Sequence, residues 1–135
     1  MAVNKINHFL NEIAEWAATK SDIQAVALVG SHARGTARKD SDIDLILITD
    51  EANDYLNDNQ WTQQFGIIEK KQIEHYGLLT SVRVWYGNGL EVEFGITDQR
   101  WAALPIDPGT RSVIMNGFRV LFERGNILSR LLSVK

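Results

Sequence analysis

Two aspartates, Asp42 and Asp44, stand two residues apart in the run SDIDLILIT. On an extended strand that spacing sends both side chains out of one face, with Cα atoms roughly 6.6 Å apart. Like charges so close oppose each other's ionisation, and burial beside an apolar run adds desolvation, so the pair calls for a counter-charge. A divalent cation supplies one: Mg²⁺ takes hard oxygen ligands and commonly binds through one or two carboxylates plus phosphates. An isolated Asp-x-Asp is equally well read as solvated acids at a strand end. Here, however, it follows Gly30-Ser31, which closes an apolar run. A residue without a side chain lets another group approach the backbone, and a Ser hydroxyl with neighbouring N–H groups can hold an anion. Arg34 and Gly35 are expected in the first turn of a helix after that pair, where N–H groups and the positive dipole end favour phosphate. Alone, the Gly-Ser pair is an ordinary strand-to-helix turn.

A second carboxylate pair, Glu91 and Glu93, alternates with Leu90, Val92 and Phe94 and so also shares one strand face. If this strand lies beside that of Asp42 and Asp44, one glutamate completes a three-carboxylate site, as metal ligand or as general base toward a hydroxyl. Otherwise the two form the polar face of a half-exposed strand. Arg83 would come close to the carboxylates if it points inward. Arg34, or Arg38 and Lys39 in the following loop, could neutralise a leaving group, or these could simply keep an exposed basic loop soluble.

The elements that must position these groups are legible in the hydrophobic pattern. Ile6, Phe9, Leu10, Ile13 and Ala17 recur at three- and four-residue steps, the stripe of an amphipathic helix, with Trp16 beside it. Residues Ile23 to Val29 and Ile43 to Thr49 read as strands buried on both faces. Asp50, Glu51 and Asn53 suit a helix start before Tyr55, Leu56 and Trp61. The runs Ser81 to Tyr86 and Leu90 to Thr97 flank Gly87-Asn88-Gly89 and predict a hairpin. Beyond Pro105 and Pro108 a helix over Thr110 to Met115, a strand over Phe118 to Phe122 and a closing helix over Ile127 to Leu132 are expected. Glu69, Lys70 and Lys71 read as a solvated charged face, and Trp85, Trp101, Phe118 and Phe122 as core rather than stacking platform. The expected fold class is α/β (α+β), a mixed sheet flanked by helices in a single domain, 1–135.

Composition narrows the functions. The 135 residues suit one domain with its own core. With 14 basic against 17 acidic residues and a net charge of −3, the chain lacks the basic face that long nucleic acid requires. No cysteine is present, which excludes a disulfide framework and thiolate metal sites. The first twenty residues contain neither a signal-peptide core nor a membrane span, so a cytoplasmic protein is expected.

The segment GSHARGTARKDSDIDL, with a strand on each side, resembles the signature of the nucleotidyltransferase superfamily with the polymerase-β-like fold, and within it the small bacterial nucleotidyltransferase domains. These include aminoglycoside adenylyltransferases and minimal antitoxin-type enzymes. WTQQFG and the hairpin GNGLEVEF are similar to the streptomycin 6-adenylyltransferase branch. The resemblance implies that Gly30 and Ser31 hold a nucleotide triphosphate. It implies also that Asp42 and Asp44 bind Mg²⁺, two ions in all, and that a hairpin carboxylate joins them. Turn spacing favours Glu91, and a hydrophobic-acid-hydrophobic rule fits Glu93 equally well. His32 stands where the family often has a basic residue. The implied reaction moves a nucleoside monophosphate, AMP from ATP, to a hydroxyl of a small molecule or partner protein. The alternative is an antitoxin-like module that binds or modifies a helical toxin. A chain of this length is expected to carry little acceptor-binding wall. A homodimer could build that wall, with Ile127, Leu128, Leu131 and Leu132 as its contact face, although a tail packed on its own sheet is the simpler reading.

Overall fold

The computed structural model describes residues 2–38, 41–102 and 108–133; Lys39 and Pro105 lie outside them. Six strands form one mixed sheet in the order β3-β4-β5-β2-β1-β6. They are β1 (Ile23–Val29), β2 (Ile43–Thr49), β3 (Ile68–Tyr76), β4 (Leu79–Tyr86), β5 (Glu91–Thr97) and β6 (Phe118–Glu123). The neighbours β2 and β5 run parallel and every other pair antiparallel. The helices are α1 (Ala2–Ala18), α2 (Gly30–Arg34), α3 (Ala52–Asn57) and α4 (Pro108–Met115), with 3₁₀ turns at Gln60–Phe65, Gln99–Ala102 and Ser129–Ser133. Among the described residues no helix is long and apolar enough to cross a membrane.

The central strands are apolar on both faces because both faces are covered. On one face Leu28, Leu45, Leu47, Val82, Val84 and Phe94 pack beneath Phe9, Ile13 and Trp16 of α1. Phe94 is the hub, with the rings of Trp61, Phe65 and Phe9 at 5.0, 6.2 and 6.3 Å. On the other face Ala25, Ala27, Ile46 and Ile48 meet Trp101, Leu128 and Leu131. This second core is smaller, and at the Asp44 end of the sheet it gives way to polar groups.

The first helix, the two buried strands, the hairpin and the Phe118 strand form as the pattern predicts, α4 starting two residues early at Pro108. Two expectations are corrected and one strand is added. Arg34 ends the short helix α2 rather than starting one, because Gly35 takes a left-handed conformation (φ 78°) that stops it. The closing helix is only a 3₁₀ turn: Gly125 turns at φ 67° and the Glu123 carboxylate accepts the Leu128 and Ser129 N–H groups at 3.0 Å. That turn buries Leu128 and Leu131 completely in the second core, which removes them as a dimer face. The charged run at Glu69 to Lys71 belongs to an edge strand, β3, whose side chains are exposed or half-buried and therefore carry no hydrophobic period.

Cutting the hub side chain should leave a cavity in the larger core. Phe94→Ala is expected to cost about 3–5 kcal/mol in urea unfolding; a loss below about 1 kcal/mol would contradict the packing described.

Candidate active site

The parallel pairing of β2 with β5 decides which acids meet. Its register sets Asp44 opposite Glu93, and on the outer side of β5 Arg83 stands opposite Glu93. Residues opposite one another share a face. Asp44, Glu93 and Arg83 thus form a row across three strands, on the face of the smaller core. Asp42 reaches the same face from just before β2, and one carboxylate oxygen each of Asp42, Asp44 and Glu93 lies within 4.8 Å of the other two. Glu91 is not in this group. Its carboxylate points to Arg83 Nε at 3.5 Å. Turn spacing pointed to Glu91, whereas strand register brings Glu93 to the aspartates.

Charges at 4.8 Å repel by ~3.5 kcal/mol per pair at an effective dielectric near 20. Burial, then the charges of Asp42 and Glu93, push Asp44 up to about 7, against a smaller opposing pull from Arg83. Arg83 is the cation placed among the acids. Its Nη2 donates to Glu93 Oε2 at 3.1 Å and lies 3.5 Å from Asp42 Oδ2. Its Nε faces Glu91 at 3.5 Å and Glu74 at 3.9 Å without a hydrogen bond. Burial works against its charge, yet the Glu93 hydrogen bond and the surrounding carboxylates raise its pKa above the usual arginine value. One guanidinium among five carboxylates leaves an excess of negative charge. Three convergent hard oxygens, one of them driven toward protonation, are the donor chemistry that suits Mg²⁺.

Gly30 supports this cluster directly. It has φ 74°, and a Cβ there would fall far inside van der Waals distance of Asp44 Oδ2. Only glycine lets the chain turn against the carboxylate. Ser31, half-exposed, holds the turn through its carbonyl, which accepts the Thr36 N–H at 3.0 Å and the Gly35 N–H. His32 Nε2 lies 3.2 Å from the Ser41 carbonyl and ties the turn to the residue before Asp42. Arg38 is exposed, its backbone N–H donating to Ser41 Oγ at 2.8 Å. Arg34 points away, donating to the Asn116 carbonyl at 2.9 Å and to Thr36 Oγ1 at 3.3 Å. It braces α2 against Gly117, where a Cβ would collide with Arg34 and crowd the Gly30 carbonyl.

A cleft of about 720 Å³ opens beside the cluster. Asp44, Glu93 and Gly30 lie in it, between Tyr76 to Leu79 on one side and Thr110, Ser112, Val113 and Asn116 of the α4 region on the other. Gly95 deepens the wall next to Glu93, since a Cβ there would strike Leu79 and the Leu45 carbonyl. Trp101 lines the cleft while remaining buried, stacked on Phe118 at 6.4 Å. Trp85 and Phe122 are half-buried, under Lys70 and Arg124 respectively. Sequence reasoning missed the Tyr76 to Leu79 wall and the α4 wall; the glycines at 95 and 117 were the available signals of close approach.

The sequence model of a family described as streptomycin adenylyltransferase matches residues 3–82. That span includes Gly30, Asp42 and Asp44 and stops before the glutamates of β5. Among solved structures, an aminoglycoside 6-adenyltransferase from Bacillus subtilis is similar at a TM-score of 0.57 and 16% identity over 70% of this chain. The match covers 35% of that protein, so the chain spans about a third of its length. The likeness is one of fold: the mixed sheet with its helices is a nucleotidyltransferase fold. No curated protein sequence matches the chain.

The raised Asp44 pKa carries a pH consequence for the protein in chelator. From about pH 4 to 7 the folded state holds a proton that the unfolded chain has released, so Asp44's contribution to stability is full below pH 4 and falls as pH rises through 7. Asp44→Asn should therefore stabilise the protein at pH 8, by about 1–2 kcal/mol after allowance for solvent screening. The gain should vanish near pH 4. Urea midpoints at both pH values check this, and an Asn variant no more stable than wild type at pH 8 would contradict it.

Proposed function

Because the chain belongs to the streptomycin adenylyltransferase family, we propose that it transfers AMP from ATP to a hydroxyl group at the Asp42, Asp44 and Glu93 cluster. The observation that carries the proposal is the convergence of these three carboxylates within 4.8 Å beside a turn that only glycine can make. Asp42, Asp44 and Glu93 would hold Mg²⁺, which when bound supplies Lewis acidity to the phosphate oxygens and neutralises their charge. The Gly30-Ser31 turn lies against Asp44 and would seat the triphosphate, while Arg34 steadies that turn from behind.

In the reaction the acceptor oxygen attacks the α-phosphorus, a new P–O bond forms, and the bond from the α-phosphorus to the bridging oxygen breaks. Pyrophosphate leaves with that electron pair. The acceptor proton passes to a carboxylate of the cluster, for which Glu93 is our assignment, since Arg83 fixes its other face. The protein contributes placement and charge rather than a covalent intermediate. Arg83 offsets part of the negative charge of the site and sets the orientation of Glu93.

Aminoglycosides are the first acceptors to test, following the family description and the similar solved structure. Five carboxylates around one arginine suit a polycationic amino sugar better than an anionic acceptor. Purified protein with Mg²⁺, labelled ATP and streptomycin should yield a nucleotidylated product detectable by mass spectrometry. The double variant Asp42→Asn, Asp44→Asn should lower the rate by about 100-fold or more. Transfer undiminished in that variant would overturn the site assignment. Transfer to a protein acceptor but to no aminoglycoside would overturn the small-molecule reading alone.

A further inference from the structure

The strand β3 is an edge of the sheet, so one row of its N–H and C=O groups faces outward. The exposed apolar side chains gather around it. Of the five large hydrophobic residues that stand exposed among the described residues, two lie on this strand, Ile73 (45%) and Tyr76 (54%), and two flank its ends, Ile67 (83%) and Leu78 (43%). An edge that also carries Lys70 and Lys71 ordinarily resists pairing, because an incoming strand would have to bury lysines against its own side chains.

The sequence of the edge removes that objection for one partner. The strand changes register between Ile68 and Lys70 but is regular from Lys70 to Tyr76, and there an antiparallel copy centred on Gln72 sets Lys70 opposite Glu74 and Lys71 opposite Ile73. Each pairing occurs twice about the dyad. Both lysine-glutamate pairs are oppositely charged, and the two Ile73 side chains become diagonal neighbours on one face. Within one chain Lys70 has no carboxylate partner among the described residues and rests over the Trp85 ring at 4.8 Å. A shift of register by two residues would put Lys70 opposite Gln72 or Tyr76 and lose both charge pairs.

From this we infer that the chain forms a homodimer by antiparallel pairing of β3 with β3 of a second copy, in the register centred on Gln72. The free edge supplies the hydrogen bonds and the exposed apolar residues the buried area. The charges select a second copy of this chain over other strands. Two six-stranded sheets become one continuous sheet. Tyr76, at the end of this edge, and Leu78 line the cleft beside the carboxylates, so the pairing abuts one of its walls. This pairing does not depend on the adenylyl-transfer reading and stands or falls separately.

Sedimentation of the full chain, 15.2 kDa, should give a species of twice that mass. Lys70→Glu turns two favourable pairs into two repulsive ones and should weaken the dimer on the order of 10- to 100-fold. Glu74→Lys should do the same, and an equimolar mixture of the two variants should restore a mixed dimer, since every glutamate of one chain's pair then faces a lysine of the other's. The absence of native cysteine allows a test that leaves every charge in place. Gln72→Cys should form an intermolecular disulfide under mild oxidation, its two Cα atoms lying about 4.5–5.5 Å apart across the dyad. His75→Cys, about 20 Å from its mate in this register, should not. This cross-link decides the matter if a charged variant fails to fold. A monomer at every concentration, a dimer indifferent to Lys70→Glu, or cross-linking at residue 75 and not at 72 would each overturn the inference.

Discussion

Mutual repulsion among Asp42, Asp44 and Glu93 is the constraint around which this domain is organised. Side by side on one face of a sheet and partly shielded from water, the three cannot all be charged without compensation. The fold places a single arginine among them and leaves one aspartate pushed up to about 7. Such an arrangement works against the stability of the isolated chain. It makes sense where the missing positive charge arrives with a ligand, and the free energy withheld from folding then contributes to binding.

Holding like charges together requires a rigid support, and the opposite face of the sheet provides it. The aromatic cluster on Phe94 locks β5 to α1 and to the 3₁₀ turn at Gln60–Phe65. The fixed register between β2 and β5 follows from rows of buried aliphatics such as Leu45 opposite Phe94 and Leu47 opposite Ile96. A slip of one residue would turn these side chains out and the acids in. Packing on one face thereby sets carboxylate geometry on the other. At the near end Gly30 and Gly117 let the α2 turn and the α4-β6 turn close onto Asp44 and Arg34, where any larger residue would collide.

Much of this was legible in the sequence, and the exceptions have physical reasons. The buried strands and the hairpin announce themselves because both-face burial gives β-branched runs and a Gly-Asn-Gly turn gives a clear boundary. Asp42 and Asp44 stand out for the same reason, as charges beside an apolar run. The choice between Glu91 and Glu93 could not be read locally, because both share one face and only the register with a strand some fifty residues away separates them. β3 was hidden because an edge strand with no buried face has no period to detect. The tail carried leucines at helical spacing, but Gly125 and the grip of Glu123 on the following N–H groups kept it to a 3₁₀ turn. The Tyr76 to Leu79 wall of the cleft, at the end of β3, was hidden for the same reason.

A divalent cation held jointly by Asp42, Asp44 and Glu93 is what the rest of the functional reading requires. The most direct measurement is a calorimetric titration of Mn²⁺ into the protein saturated with a non-hydrolysable ATP analogue, made on wild type, Glu93→Gln and Glu91→Gln. Saturable binding is expected in wild type, weakened by about tenfold or more in Glu93→Gln and little changed in Glu91→Gln. Binding that is absent from wild type, or that is lost with Glu91 and retained without Glu93, would contradict it.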